Sequence, residues 1–144
     1  ANQVLFRFNK VFDVRKYAAA TRDNRKDKKV FYIICGWLTQ KDAERLAKEL
    51  ENEGIATRVV SMPCMDVFEN QSKEYKEEVL PKAVRNRVAI EALSGFGWDK
   101  YTGLDGRVIS MNSFGASAPQ DLLFKKFGFT KENVVATAKE VLNQ

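Results

Sequence analysis

Two segments near the end of the chain decide how its last third folds. They read Trp-Asp-Lys-Tyr-Thr-Gly-Leu-Asp-Gly at Trp98–Gly106 and Phe-Gly-Ala-Ser-Ala-Pro at Phe114–Pro119. In the first segment, Gly103 and Gly106 predict a tight turn, and in the second Gly115 predicts a sharp exit from a strand. Ser117 is expected to cap a helix, with Gln120 completing a capping box. None of these positions offers a nucleophile or a general base, so both segments indicate fold and not chemistry.

The chain ahead of these segments contains short apolar runs that predict buried strands. Val30–Cys35 is continuously apolar and ends at Gly36, as in a strand covered on both faces of a parallel sheet. Three further strands are predicted at Arg58–Met62, Arg87–Ala92 and Arg107–Met111. Because helical patterns alternate with these runs, the sequence predicts an α/β domain with a mainly parallel sheet.

Helical patterns fill the intervals between the predicted strands. Thr39 is expected to cap the first helix, and Gly54 is expected to end it with Ile55 in the accompanying apolar contact. A second helix is expected to open at Asp66, and the last two are predicted at about 118–126 and 131–142. These helices alternate with the predicted strands within the one domain that we expect over residues 1–144.

Length and composition favour one globular domain. The 144 residues are 44% hydrophobic, and no apolar run is long enough to span a bilayer. We expect neither a signal peptide nor a membrane partner, which makes the cytoplasm the default location. Cys35 and Cys64 have no metal-ligand spacing, and we expect both to follow buried strands as small hydrophobic residues without a disulfide.

Histidine is absent from the whole sequence. This removes the commonest general base and the commonest metal ligand, so the sequence predicts no catalytic residue and no metal site. The carboxylate of Glu91, in an otherwise apolar strand, is expected to pair with Arg87 or with a helix end and not to serve as a catalytic acid.

Basic residues are concentrated at the start of the chain. Residues 1–29 contain nine Lys and Arg against three Asp, whereas the remainder is close to neutral. The cluster in Arg22–Lys29 suits a nucleic-acid binder, but no aromatic residues are interleaved with it, which favours a solvated loop. We therefore expect no nucleic-acid partner.

From Gly54 to Leu142 the sequence resembles the C-terminal domain of transketolase. The segments that carry the resemblance are Arg58–Cys64, Val79–Val84, Arg87–Ala92 and the closing stretch from Trp98. Phe68, Gln71 and Tyr75 add to it in the same order. The resemblance implies a three-layer α/β/α sandwich with a five-stranded mixed sheet, whose first strand is antiparallel and would come from Val4–Val14.

Residues 1–53 depart from the pattern of that family. Only Gly36 remains of a Gly-Ser-Glu-Val-like turn, and Trp37, Leu38 and Thr39 follow it. The next helix has tidy caps and one heavily charged face, and the chain begins at Ala1 and not at Met. We therefore hypothesise an excised domain, with residues 1–29 as an atypical basic arm and the first third rebuilt by engineering.

The resemblance implies a non-catalytic accessory domain that supports assembly. In transketolases, thiamine diphosphate and Mg²⁺ belong to two larger domains, and the Gly-Asp-Gly pattern expected for the cofactor is missing here. The expected partners are a second copy of the chain or the remaining transketolase domains, since an excised domain should expose an apolar patch. A designed scaffold without activity is one alternative.

A small-anion or nucleotide-binding domain is the other alternative. Its ligand would lie at the carboxyl ends of the strands, near Gly36, Thr39, Cys64 and Ser117. A single glycine at the first turn, where a dinucleotide-binding fold has three, makes this signal weak. Trp98, Tyr101 and Phe114 are expected to cover a sheet edge, although a ligand could also stack on them.

Overall fold

A computed structural model describes residues 31–35, 40–62 and 64–143. Four strands and six helices alternate along these residues. The strands are β1 (Phe31–Cys35), β2 (Thr57–Ser61), β3 (Arg87–Glu91) and β4 (Arg107–Ser110). The helices are α1 (Gln40–Asn52), α2 (Met65–Glu69), α3 (Lys73–Val79), α4 (Asp99–Thr102), α5 (Gln120–Lys126) and α6 (Lys131–Leu142). The α/β class predicted from the alternation is therefore confirmed.

The four described strands form one sheet in the order β2-β1-β3-β4. Every neighbouring pair is parallel, with Ile33 opposite both Val59 and Val88, and Ala89 opposite Val108. Each predicted strand agrees with the structure to within one residue at either end. The fifth, antiparallel strand expected from Val4–Val14 lies outside the described residues.

The sheet buries side chains on both of its faces. Successive residues of a strand point to opposite faces, and Val88 and Ala89 of β3 are both fully buried. Val88 belongs to a core cluster with residues of α1 and α6, whereas Ala89 belongs to a second cluster with residues of α2 and α4. This two-sided burial explains why the strands read as continuous apolar runs and not as alternating ones.

Helix α1 ends in a Schellman motif. The Gly54 amide donates to the Glu51 carbonyl at 2.9 Å, and the Ile55 amide donates to the Leu50 carbonyl at 2.9 Å. Gly54 has a φ of 76°, the left-handed conformation that glycine adopts without a Cβ penalty. Leu50 and Ile55 are both buried in the cluster beside α6, so the predicted end of this helix is confirmed. The Thr39 cap lies outside the described residues.

The segment after β2 forms two short helices. Helix α2 begins at Met65, one residue before the predicted Asp66, and ends at Glu69. Ser72 then caps α3 by accepting a hydrogen bond from the Tyr75 amide at 3.2 Å. Phe68 and Tyr75 pack with their ring centroids 6.3 Å apart, and Phe68 lies in the cluster beside α4. The two helices thus place one aromatic pair against the sheet.

Arg87, the first residue of β3, connects several elements through backbone carbonyls. Its guanidinium donates to the carbonyls of Val84 and Tyr101, both at 2.8 Å. It also donates to those of Leu80 at 3.3 Å and Pro81 at 2.7 Å. These acceptors follow α3 or lie in α4, so one side chain holds two helices at the start of the strand. Of the two partners expected for Glu91, Arg87 is wrong, because the two residues are four positions apart in β3, about 13 Å, and the Arg87 guanidinium binds these carbonyls instead.

Gly106 lies beside Arg87, at the start of β4, and a side chain cannot fit there. A Cβ atom on Gly106 would come within 2.6 Å of the Arg87 carbonyl oxygen, the Thr102 carbonyl oxygen and the Thr102 Cβ. Gly103 differs, since its φ is 67° and a Cβ there would meet nothing within 4 Å. Gly106 is thus required because no side chain fits there, whereas Gly103 is required for its positive φ.

Candidate functional site

Proteins with an open parallel sheet usually bind their ligands at the carboxyl ends of the strands. The chain passes from β1 to β2 on one side, and then crosses to β3 on the other side of β1. The resulting switch point lies between the carboxyl ends of β1 and β3, the usual position of a ligand crevice. Gly36 and Thr39, which follow β1, lie outside the described residues, so the anion site predicted there stays a prediction.

Cys64 and Ser117, the other two residues of that predicted site, are not brought together. Cys64 follows β2 and Ser117 follows β4, which are the two outer strands of the described sheet. These two strands are three strand spacings apart, which is about 14 Å at ordinary sheet geometry. Both residues are exposed. The expectation that Cys64 is a buried hydrophobic residue is therefore wrong, because β2 ends at Ser61 and Cys64 lies at the exposed N-terminal end of α2.

Ser117 does not cap a helix. Helix α5 begins at Gln120 with Pro119 as its N-cap, and no side chain accepts a hydrogen bond there. Ser117 lies two residues before the N-cap, beyond the position from which a hydroxyl satisfies the first helical amides. Gly115 is not needed for a turn either, because its φ is not positive and a Cβ there would meet only Met111 Cε at 3.7 Å. Both expectations for this segment are wrong.

The loops after β3 and β4 lie against each other. The Met111 amide donates to the Leu93 carbonyl at 2.8 Å. A Cβ atom on Gly95 would come within 2.6 Å of Ser110 Oγ, so the first loop passes directly over the end of β4. The Met111 side chain reaches on to Gly115 in the second loop. The two loops therefore form one surface at the carboxyl end of the sheet.

Large apolar side chains protrude from this surface. The exposed fraction is 68% for Leu93, 94% for Phe96 and 98% for Phe114. Leu122, in helix α5 after the second loop, is 56% exposed. We call these four residues the carboxyl-end apolar surface. Its residue composition is unusual, because positions 92–98 and 111–120 contain no Lys, Arg, Asp or Glu, although 30% of the chain is charged.

An aromatic contact joins helix α5 to the core. None of its seven residues is buried. The helix ends in a Schellman motif, in which the Phe129 amide donates to the Phe124 carbonyl at 2.8 Å and Gly128 has a φ of 80°. The Phe124 and Phe129 rings lie 5.6 Å apart, and Phe129 packs against the cluster of α1 and α6. Most of the helix thus faces solvent.

Of the three aromatic residues considered for ligand stacking, two belong to the core. Trp98 is 3% exposed and Tyr101 5% exposed, with ring centroids 6.0 Å apart. Both pack on the sheet face that carries Ala89, whereas the sequence predicted that they cover a sheet edge. Phe114 is fully exposed and covers nothing. Sequence reasoning treated the three alike, whereas the structure separates Phe114 from the others.

A polar cluster on the same sheet face shifts two pKa values. The Tyr101 hydroxyl donates to Glu69 Oε1 at 3.0 Å, and Lys100 Nζ lies 3.0 Å from Glu69 Oε2. The hydrogen bond from Lys100, with further help from Tyr101 and Lys76, lowers the pKa of Glu69. Burial, together with the Glu69 carboxylate, raises the pKa of Tyr101. The cluster holds α4 on α2, and sequence reasoning missed it because its members are 32 positions apart.

This cluster predicts a loss of stability in alkali. The folded protein holds the Tyr101 proton more tightly than the unfolded chain, so its contribution is complete below about pH 10 and falls as the pH rises further. At pH 7, Tyr101→Phe should cost about 1 kcal/mol of unfolding free energy, since it removes one hydrogen bond. Urea unfolding of both proteins between pH 7 and 10.5 measures this. A difference between them that stays constant above pH 10 would contradict the role of Tyr101.

Neither a metal-binding group nor a membrane-spanning helix is present among the described residues. In the part of the chain that the structure describes, no three Cys, Asp or Glu residues are grouped so that they could hold a metal ion. Glu91 is half-buried at the end of β3 and belongs to no such group. Among the described helices, none combines the length and the apolar character needed to cross a bilayer.

Comparison with known proteins identifies the family. The model of the transketolase-like TK C-terminal domain matches residues 17–130. A transketolase of Staphylococcus epidermidis is 54% identical over 99 residues, and transketolase 2 of Pasteurella multocida is 57% identical over 100 residues. The structure of the transketolase from Leishmania mexicana superposes with a TM-score of 0.67 and 38% identity over 82% of the chain.

The comparisons also fix how much of these proteins the chain represents. Each bacterial match covers 69% of this chain but 15% of the relative, and the Leishmania match covers 17% of that protein. The family match begins at residue 17 and so includes part of residues 1–53, the segment predicted to depart from the family pattern. With a match over most of its length, the chain belongs to the transketolase-like C-terminal domain family.

Proposed function

We propose that the chain is a non-catalytic domain that serves the assembly of a transketolase. One observation carries this proposal: the family match spans most of the chain, while the chain spans 15% of the transketolases it resembles. The remaining part of such an enzyme is therefore several times larger than this chain. We propose further that residues 4–14 add the fifth, antiparallel strand of a three-layer α/β/α domain.

The residues present do not fit the cofactor of that enzyme class. Thiamine diphosphate is bound through a metal ion, but the sequence has no histidine and no Gly-Asp-Gly segment. The described residues also lack a group of three acidic or thiol side chains for Mg²⁺. We therefore assign no catalytic step to this chain. The exposed thiol of Cys64, which is in no disulfide, suits a reducing compartment such as the cytoplasm.

Two measurements on the unmodified chain test this function. Ketol transfer assayed with thiamine diphosphate and Mg²⁺ should show no turnover by the chain alone, and appreciable turnover would overturn the proposal. Titration calorimetry should show binding to Staphylococcus epidermidis transketolase from which the C-terminal domain has been removed. If the chain is instead a designed scaffold without a partner, that titration should show no binding. No described contact favours the small-anion alternative, since Cys64 and Ser117 follow the two outer strands of the described sheet.

A further inference from the structure

The carboxyl-end apolar surface differs from the opposite end of the sheet. Leu104, before β4, is also exposed, at 95%. Charged groups surround it, however, because Arg85 and Asp105 form an ion pair beside it and Lys100 lies one turn earlier. Single exposed apolar residues among charges are ordinary on protein surfaces. The carboxyl-end apolar surface combines four such residues with two loops that lack charge, and loss of charge marks the centres of protein interfaces.

The shape of this surface indicates what kind of partner it fits. The Phe96 and Phe114 rings are 94% and 98% exposed, so they touch almost nothing of their own chain and protrude from it. Protruding aromatic anchors contribute to binding when they enter pockets of a partner. Two copies that met through this surface would bring protruding rings against protruding rings, since a twofold interface uses the same patch twice. A different partner, which offers pockets, fits better.

The geometry points to the remaining domains of a transketolase as that partner, and we propose that the carboxyl-end apolar surface is the face that docks onto them. This inference rests on the proposed function and adds the contact surface to it. The relatives contain a polypeptide several times longer than this chain. Within one polypeptide that partner is present at a high effective concentration, which suits a permanently covered, uncharged surface.

The test compares two variants in the titration with the truncated Staphylococcus epidermidis transketolase. The double variant Phe96→Asp, Phe114→Asp places charges at both protruding rings, and we expect its affinity to fall at least 30-fold. Leu104→Asp is the matched control, since it puts a charge at an equally exposed site on the opposite end, and it should bind within twofold of the unmodified chain. Circular dichroism confirms that each variant is folded.

The outcomes separate this inference from the proposed function. Equal binding by the double variant, or an equal loss in Leu104→Asp, overturns the docking surface and leaves the proposed function standing. Failure of the unmodified chain to bind overturns the proposed function. A dimer in sedimentation velocity that the double variant dissociates would replace the partner by a second copy of this chain.

A full-length chimera gives a second readout that needs no truncated enzyme. In it, this chain replaces the C-terminal domain of the Staphylococcus epidermidis transketolase. The unmodified chimera should unfold in one cooperative thermal transition, because docked domains melt together. With Phe96→Asp and Phe114→Asp the domain should melt separately, whereas Leu104→Asp should keep the single transition. One transition in all three chimeras overturns the assignment.

Discussion

Arg87→Met should lower the free energy of unfolding by about 3 to 5 kcal/mol. The guanidinium donates to four backbone carbonyls, those of Leu80, Pro81, Val84 and Tyr101. Methionine fills a similar volume but donates nothing, so all four carbonyls lose the hydrogen bond from Arg87, and the Pro81 carbonyl keeps, among the described residues, only the Val84 amide at 3.0 Å. Hydrogen bonds from charged groups contribute about 1.5 to 3 kcal/mol each, and partial access of water reduces the sum. Urea unfolding followed by circular dichroism measures the loss.

Two further substitutions identify the origin of that loss. Arg85→Met is the matched control, because Arg85 is 70% exposed and its ion pair with Asp105 lies on the surface. Its effect should stay within about 1 kcal/mol. Arg87→Lys keeps the positive charge but lacks the planar fork that reaches several acceptors, so it should lose most of the stability that Arg87→Met loses. Full stability of Arg87→Lys would mean that charge, and not the hydrogen bonds, is what matters.

Gly106→Ala should destabilise the protein by about 3 kcal/mol, near the upper end for overpacking substitutions. The added Cβ would lie 2.6 Å from two backbone oxygens, those of Arg87 and Thr102. Backbone atoms at the junction of β3, β4 and α4 cannot move aside as a flexible side chain can. The unfolding free energy from urea titration and the thermal midpoint should fall together.

Substitutions at two other glycines distinguish the effect of a steric clash from the effect of backbone conformation. Gly103→Ala introduces no clash, but its φ of 67° and ψ of −167° lie in a region almost confined to glycine, so the substitution should cost about 1 to 3 kcal/mol. Gly115→Ala meets only Met111 Cε at 3.7 Å and has no positive φ, so its effect should be close to zero. If Gly106→Ala were no worse than Gly115→Ala, the close packing around Gly106 would be refuted.

The strands and the end of α1 were predictable because local residue types determine them. A strand buried on both faces needs an unbroken apolar run, and Gly54 followed by Ile55 is the local signal of a Schellman motif. The cap expected at Ser117 failed for a related reason. Ser117 and Gln120 match the capping-box pattern, but α5 begins only at Gln120, after Pro119, which leaves Ser117 too far from the first helical amides.

The carboxyl-end apolar surface could be predicted only in part. An exposed apolar patch was expected, but Trp98, Tyr101 and Phe114 are equivalent as residue types, and only tertiary packing buries the first two. The lack of charge in positions 92–98 and 111–120 is visible in the sequence. It becomes informative when the Met111–Leu93 hydrogen bond brings the two loops together. The contacts of Arg87 with backbone carbonyls leave no sequence pattern at all.

The order of the strands has a kinetic consequence. The central strand β1 pairs with β2, where Thr57 follows Phe31 by 26 positions, and with β3, where Arg87 follows Tyr32 by 55 positions. During synthesis, β1 therefore has a neighbour on one side long before β3 has left the ribosome. Distant pairings of this kind close late and slow folding, since the intervening chain must first lose its freedom. The half-formed sheet, with one side of β1 bare, is the stage at which a nascent chain most needs protection from aggregation.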